Sequence, residues 1–437
     1  LPVTRWWHIE TGWDRDFAEL PLAPDAQAGP RSISMASLGR HGRWGNTLFQ
    51  YMFLKAFAHE YGFECEAPDW PGQRFFGHRD RPLTRHHQVV LRDNMSLISE
   101  SANNILAPID GEVNRVATLM ERGRAVYLLN QLKIANDASE LPFIHADLEG
   151  LFIVHTHYLA PYREYLRNLL RPVPRLADEL RRAIVKIRSL GKTIVGVHIR
   201  RGDFDRCFSA QGFEFVAPLD WYHRWLDDLW QRVEDPVLLI CSDDPDMAAR
   251  FARYKTIGAN SLEVALPREL VADLPVPWQR EVEYFRDWLL LTQCDRLAIS
   301  NSTFSFSAAM MNERCTEFVR PDPDRKTLVP FDPWNAEPLI MLKHHATAPG
   351  ELVYRLRLAR AGLGNEVIVP GIERSLRTWV RILLNRAGAA RYFHGRRGLM
   401  RELVTPAFYL ASRRHYDSIN ECGYYPLRSR PAREAPT

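Results

Sequence analysis

The chain has 437 residues, 46% hydrophobic and 25% charged. That composition suits two folded domains with extensions and excludes a disordered chain. No apolar run of about 18 residues occurs, so no helix that spans a membrane is expected. Net charge is only +4, yet residues 344–437 hold 16 Arg, no Lys and 7 acidic residues, while residues 1–343 hold 41 basic and 46 acidic ones. The body is mildly acidic and the tail strongly basic, a distribution that points to an anionic partner for the tail. The six cysteines include no CxxC pair and read as free thiols in a reducing compartment.

Residues 1–34 read as an extension, with Pro21, Pro24 and Pro30 marking linker. A strand is predicted over 33–38, then a turn, Gly39-Arg-His-Gly-Arg-Trp-Gly45, then a helix over 46–61 with apolar positions 49, 53, 56 and 57 on one stripe. Gly62 fits the helix C-terminal cap. Residues 70–145 show no clear period. A strand is predicted over 148–154 and helices over 158–170 and 177–190, with Pro172 and Pro174 at a linker between two domains, 35–175 and 176–343.

Residues 193–199 form a continuous apolar run, as a strand buried on both faces does. A helix over 220–233, a strand over 237–241, a helix from Pro245 and a short strand over 261–266 follow. A helix over 280–292, a strand over 296–300 and a helix over 303–312 complete the alternation, which implies a parallel sheet. Residues 344–437 read as a mainly helical, basic extension.

Three motifs stand where such a sheet places ligands, beyond the carboxyl ends of strands. His198-Ile-Arg-Arg-Gly-Asp203 follows the strand over 193–199. Arg200 and Arg201 offer planar, permanently charged donors for phosphate oxygens, and Gly202 lets the backbone approach a ligand. A charged turn with an internal Arg–Asp pair is the alternative. Ser242-Asp243-Asp244 ends the strand over 237–241 and offers carboxylates to sugar hydroxyls or a guanine edge, with one of the two capping the next turn. Asn301, Ser302, Thr303 and Ser305 gather hydroxyls and backbone N–H groups at a helix N-terminus, a natural anion site or a simple cap. The glycine turn ending in Gly45-Asn46 is weaker evidence on its own.

Together these residues resemble the GDP-fucose-dependent transferases, above all the α-1,2-fucosyltransferase family, glycosyltransferase family 11. The resemblance rests on Trp44-Gly-Asn-Thr-Leu-Phe-Gln-Tyr51, on His198 to Asp203 followed by Phe204, on Ser242 to Pro245, and on Cys294 with Asn301-Ser-Thr-Phe-Ser305. Phe306 and Ser307 stand where the family usually has two tryptophans, and Phe152-Ile-Val-His-Thr-His157 replaces its aromatic-glutamine stretch. The resemblance implies an α/β fold of GT-B type, two Rossmann-like domains facing across a cleft, with GDP-fucose as donor substrate, no cofactor, no metal and inversion at the sugar.

It implies catalytic roles for Arg200, Arg201 and Asp203, the last as general base or as a group that orients the arginines. Donor contacts fall to His198, Gly202, Asp243, Asp244, Asn301, Ser302, Thr303 and Ser305. His198 either meets ribose or base, or packs in the strand end. Gly45, Asn46, His155 and His157 lie on the acceptor side. Asn46 meets substrate or caps its helix, and the two histidines are alternative bases. The expected partner is an oligosaccharide or glycolipid acceptor.

Arginines between 374 and 401, interleaved with Leu376, Trp379, Val380 and Ile382 to Leu384, read as a basic amphipathic helix for an anionic membrane surface or as a helix packed on the protein. No nucleic acid is expected. The location expected is cytoplasmic, peripheral at the inner membrane face, or the Golgi lumen for a fragment of a eukaryotic enzyme. The alternatives are a protein O-fucosyltransferase, a transferase for another GDP-sugar, and an inactive sugar-binding subunit.

Overall fold

The computed structural model describes residues 30–40, 42–93, 120–121, 124–128, 141, 143–201, 215–262, 264–274, 276–323 and 325–340. The expectations for residues 1–29, for Gly202 and Asp203, and for the basic tail lie outside the described residues.

Two largely parallel sheets form the frame. The first takes β1 (Ser32–Ser34), β2 (Glu64–Ala67), β3 (Arg81–Pro82), β4 (Val89–Arg92), β5 (Met120–Glu121), β6 (Arg124–Leu128) and β7 (His145–Glu149) in the order β3-β2-β1-β7-β4-β6-β5. Only β5 and β6 pair antiparallel. The second takes β8 (Thr193–Ile199), β9 (Pro236–Ser242), β10 (Thr256–Gly258), β11 (Arg296–Ala298), β12 (Glu317–Asp322) and β13 (Thr327–Pro330) in the order β10-β9-β8-β11-β12-β13, antiparallel only at β12–β13. This is the α/β fold with parallel sheets that the alternation predicts.

The helices are α1 (Trp44–Tyr61), α2 (Pro71–Phe76), α3 (Arg163–Leu169), α4 (Pro174–Arg188), α5 (Leu219–Arg232), α6 (Arg268–Val271), α7 (Val276–Leu291) and α8 (Thr303–Met311). Helix α1 is apolar almost all round, and Trp44, Leu48, Phe49, Met52, Phe53, Leu54 and Phe57 are all buried. A helix of that kind belongs inside the protein. It packs on α8, and Phe49 meets Phe306 with ring centroids 6.2 Å apart. Each such side chain contributes about 1.5–3 kcal/mol of apolar burial. Gly62 ends the helix in the left-handed region, φ 67°, with its N–H on Ala58 O.

Four expected elements differ. The strand predicted over 148–154 lies earlier, at His145–Glu149, because Gly150 (φ 147°) and Phe152 (φ 52°) turn the chain out of the sheet. The helix predicted over 158–170 breaks into short 3₁₀ turns, Thr156–Tyr158 and Ala160–Tyr162, before α3. The helix expected from Pro245 is a 3₁₀ turn, Met247–Phe251, with amide bonds reaching back only three residues. The described residues of 261–266 form no strand. Leu262 and Val264 are buried, but the edge strand is Thr256–Gly258, paired with β9. Apolar composition reports burial, and here that burial comes without a hydrogen-bonded ladder.

Candidate active site

In the second sheet β8 lies between β9 and β11, so the chain order reverses at β8–β11. In open α/β sheets that reversal opens a crevice outside the carboxyl ends of the strands. His198, near the end of β8, and Ser300, just beyond β11, meet there, with His198 Nδ1 2.8 Å from Ser300 Oγ. The ring packs 5.1 Å from Phe304. Burial and the nearby Arg200 charge push His198 down to about 3, so it stays neutral.

Beyond His198, Arg200 Nη1 lies 2.9 Å from Asp243 Oδ2, and the backbone N–H of Arg201 donates to Asp243 Oδ1 at 2.7 Å. Both side chains of the Arg200–Asp243 pair are largely buried. One carboxylate at the end of β9 thus fixes both the guanidinium and the turn after β8. Asp244 plays another part, accepting from Asp246 N at 3.0 Å inside the following turn. Ser242 Oγ closes the corner by donating to Ile199 O at 2.8 Å. The carboxylate pair expected at a sugar or guanine edge is therefore divided between an arginine clamp and a turn.

Across the crevice, Ser302 caps α8, accepting from Phe304 N at 3.3 Å. Asn301 is buried and holds both backbone groups of Ile340, donating to its O at 2.9 Å and accepting from its N at 2.8 Å. Thr303 Oγ1 donates to Asn46 Oδ1 at 2.5 Å, and Ser305 is fully buried. Arg43 holds the N-cap position of α1, so Asn46 is no cap but a link between α1 and α8. Gly45 makes that link geometrically feasible, since a Cβ there would lie 2.3 Å from Phe304 N. Phe306 and Ser307 pack inward, and Trp288 from α7 donates to Ser307 Oγ at 3.1 Å.

His155 and His157 sit in the loop after β7, their Nδ1 atoms 2.6 Å apart. The chain between them is joined to the second half: Thr156 N and Oγ1 both donate to Ala336 O, at 3.0 and 2.9 Å.

Three further residues have roles that the motifs do not assign. Gln50 is wholly buried and bridges Gly39 N (2.8 Å) to Gly150 O (2.9 Å). Tyr222, from α5, donates to Ile299 O at 3.2 Å beside the crevice. Asp287, on α7 beside Cys241 of β9, has its carboxyl pushed up to about 7 by burial. The signal was present for Asp287: an acid immediately before the apolar run Trp288-Leu-Leu-Leu291.

The crevice therefore offers a fixed guanidinium, a capped helix N-terminus and a neutral histidine, a set suited to an anionic leaving group. Among the described residues no group of three His, Cys, Asp or Glu is placed to hold a metal ion, and no helix is long and apolar enough to cross a membrane.

Galactoside 2-alpha-L-fucosyltransferases of Bos taurus and Mus musculus are similar to this chain, at 27% identity over 168 residues and 33% over 119. Those matches cover 38% of the chain and 38% of the bovine relative, and 27% and 28% for the murine one. The matched stretch thus spans well under half the length of either relative. The crystal structure of fucosyltransferase NodZ from Bradyrhizobium is 12% identical over 70% of this chain and 99% of that one, with a TM-score of 0.42. The description Glycosyl transferase family 11 matches residues 35–324, more than half of the sequence, and the chain belongs to that family.

Proposed function

We propose that this protein is an inverting fucosyltransferase that moves fucose from GDP-fucose to a hydroxyl of a glycan, in α-1,2 linkage to a galactoside. The observation that carries the reading is the Arg200–Asp243 pair at the β8–β11 crevice, in a chain of glycosyl transferase family 11. The relatives' names, galactoside 2-alpha-L-fucosyltransferases, supply the acceptor class and linkage. The proposed arrangement is of GT-B type, with the N-terminal half to about residue 175 and the donor half from about 176 to 343. The meeting of α1 and α8 at Gly45 and Asn46 supports it, because each helix starts just beyond a carboxyl-end turn of its own sheet.

In chemical terms, negative charge grows on the β-phosphate as the bond from the sugar to GDP breaks. Arg200, held by Asp243, and the start of α8 meet that charge without rearrangement, which is electrostatic catalysis by groups already in place. Arg201, Ser302 and Thr303 complete the phosphate side, with the buried Ser305 supporting the turn at Ser302 O, and Gly202 and Asp203 extend it. Neutral His198 faces the nucleoside. Asp243 contributes through the arginine that it holds. No metal takes part. The acceptor is an oligosaccharide or glycolipid, and the 16 arginines of residues 344–437 suit an anionic surface carrying it.

Incubation with GDP-fucose and lactose tests this reading. The expected product is a fucosyl-lactose trisaccharide whose NMR spectrum gives an α-1,2 linkage. GDP binding without any product would sink the transferase assignment.

A further inference from the structure

His155 and His157 form a pair whose protons can be placed. The backbone N–H of His157 donates to His155 Nδ1 at 3.3 Å, and His157 Nδ1 lies 2.6 Å from the same atom. A ring nitrogen that accepts from a backbone amide carries no proton. The reverse assignment would set two N–H groups face to face. The proton of the ring–ring contact therefore belongs to His157 Nδ1, and in neutral His157 the Nε2 lone pair is bare. Both rings are only partly buried.

The pair is tied to the donor crevice by two clamps. Thr156, between the histidines, is bonded three times to Ala336, which returns its own N–H to Thr156 Oγ1 at 3.1 Å. Four residues later, Ile340 is bonded twice to Asn301. Four residues of chain reach no further than about 14 Å, so the anchors at Ala336 and Ile340 are near enough for a donor sugar and an acceptor hydroxyl to lie between them.

We propose that Nε2 of His157 is the general base that takes the proton of the attacking acceptor hydroxyl, with His155 as the positioning residue behind it. The assignment rests on the fucosyltransferase reading. The acceptor O–H proton passes to Nε2, and the oxygen lone pair forms the new bond to the anomeric carbon of fucose. The bond from that carbon to the β-phosphate oxygen breaks, and its electron pair leaves with GDP. The imidazolium then returns its proton to solvent. His155 Nδ1 accepts from the imidazolium throughout, the orienting part that a third group plays in hydrolase triads.

Burial opposes a proton on His155, as do the neighbouring His157 and, among the described residues, the Arg320 guanidinium of β12. Burial also pushes His157 below its ordinary value and His155 down to about 4. The base form of His157 is therefore present at neutral pH, and the acid limb of kcat falls below the usual imidazole value of about 6.5.

The test measures GDP release from GDP-fucose, with lactose as acceptor probe and with water alone. His157→Ala is expected to lower kcat by about 10²–10⁴-fold, to keep GDP affinity within about twofold and to lose the acid limb, with added imidazole restoring part of the rate. His155→Asn, which can still accept from His157, is expected to lose less than His155→Phe. Should His157→Ala fail to fold, His157→Gln reads the same limb. Retained kcat and an unchanged acid limb in a folded His157 variant overturn the base assignment alone. A wild type that binds GDP but releases none from GDP-fucose overturns the transferase reading, and this proposal with it.

Discussion

The two sheets have corresponding crevices and treat them in opposite ways. In the first sheet, order reverses between β1 and β7, and the gap beyond them is plugged by Gln50, bonded to Gly39 and Gly150. Asp93 seals the same turn by accepting from Phe152 N at 2.9 Å, and Asp147 accepts from Ser34 Oγ and Ala36 N. In the second sheet the gap between β8 and β11 is edged by His198–Ser300 and carries Arg200 on an Asp243 backing. The same topology gives a self-satisfied turn in one place and a charged, ligand-ready crevice in the other. Topology supplies the location, and the side chains decide whether it is filled.

Substitutions should separate accordingly. The largest effect is expected from Arg200→Ala, a loss of about 10²–10³-fold in kcat/KM, the range for removing one charge-stabilising donor. Its melting temperature should fall less than that of the first-sheet variants below. Gly45→Ala comes next and should act on folding, because its Cβ would meet the backbone of α8 at 2.3 Å. A loss of about 3 kcal/mol or more in urea unfolding is expected, as for other overpacked contacts. A stable Gly45→Ala protein would break the comparison, since the two carboxyl-end turns would not then meet as described.

Gln50→Leu should cost about 2–4 kcal/mol, because it leaves the Gly39 N–H and the Gly150 carbonyl without their buried partner. In whatever fraction stays folded, turnover per molecule should change little. If turnover collapsed without loss of stability, the first crevice would be a site as well. Thr303→Val should cost about 1 kcal/mol by removing one hydrogen bond to Asn46.

The last effect concerns His198 and is read through its pH dependence. Its folded value, about 3, lies below the unfolded value of about 6.5. The unfolded chain therefore takes up the proton first as pH falls. The contribution to stability is complete above about pH 6.5 and is lost as pH falls towards about 3. Unfolding curves of wild type and His198→Asn across that range should converge at the acid end.

Much of the second half was legible in the sequence. Apolar runs such as Val237-Leu-Leu-Ile-Cys241, set between helical patterns, read as strands buried on both faces, and each motif follows one directly. The first half was harder to read. Strands β2, β3 and β4 are short and edged by Arg and Glu, so no period marks them. The run Leu151-Phe-Ile-Val154 imitates a strand because it is buried, yet positive φ at Phe152 bends it into a turn. In the site, Arg200 and His198 were readable from the motif. The role of Asp243 behind the arginine was not, because nothing in Ser-Asp-Asp tells which carboxylate turns to β8. Gln50 was quoted as part of a motif, but its two partners lie 11 and 100 residues away, beyond any local pattern.

The most direct measurement is the shift in melting temperature caused by millimolar GDP, GDP-fucose and UDP-galactose in wild type and in Arg200→Ala. A ligand that binds only the folded state must stabilise it. The account predicts stabilisation of wild type by both guanine nucleotides, none by UDP-galactose, and loss of the effect in the variant. Wild type that ignores GDP, or an Arg200→Ala protein that responds as wild type does, would contradict a donor site at the β8–β11 crevice.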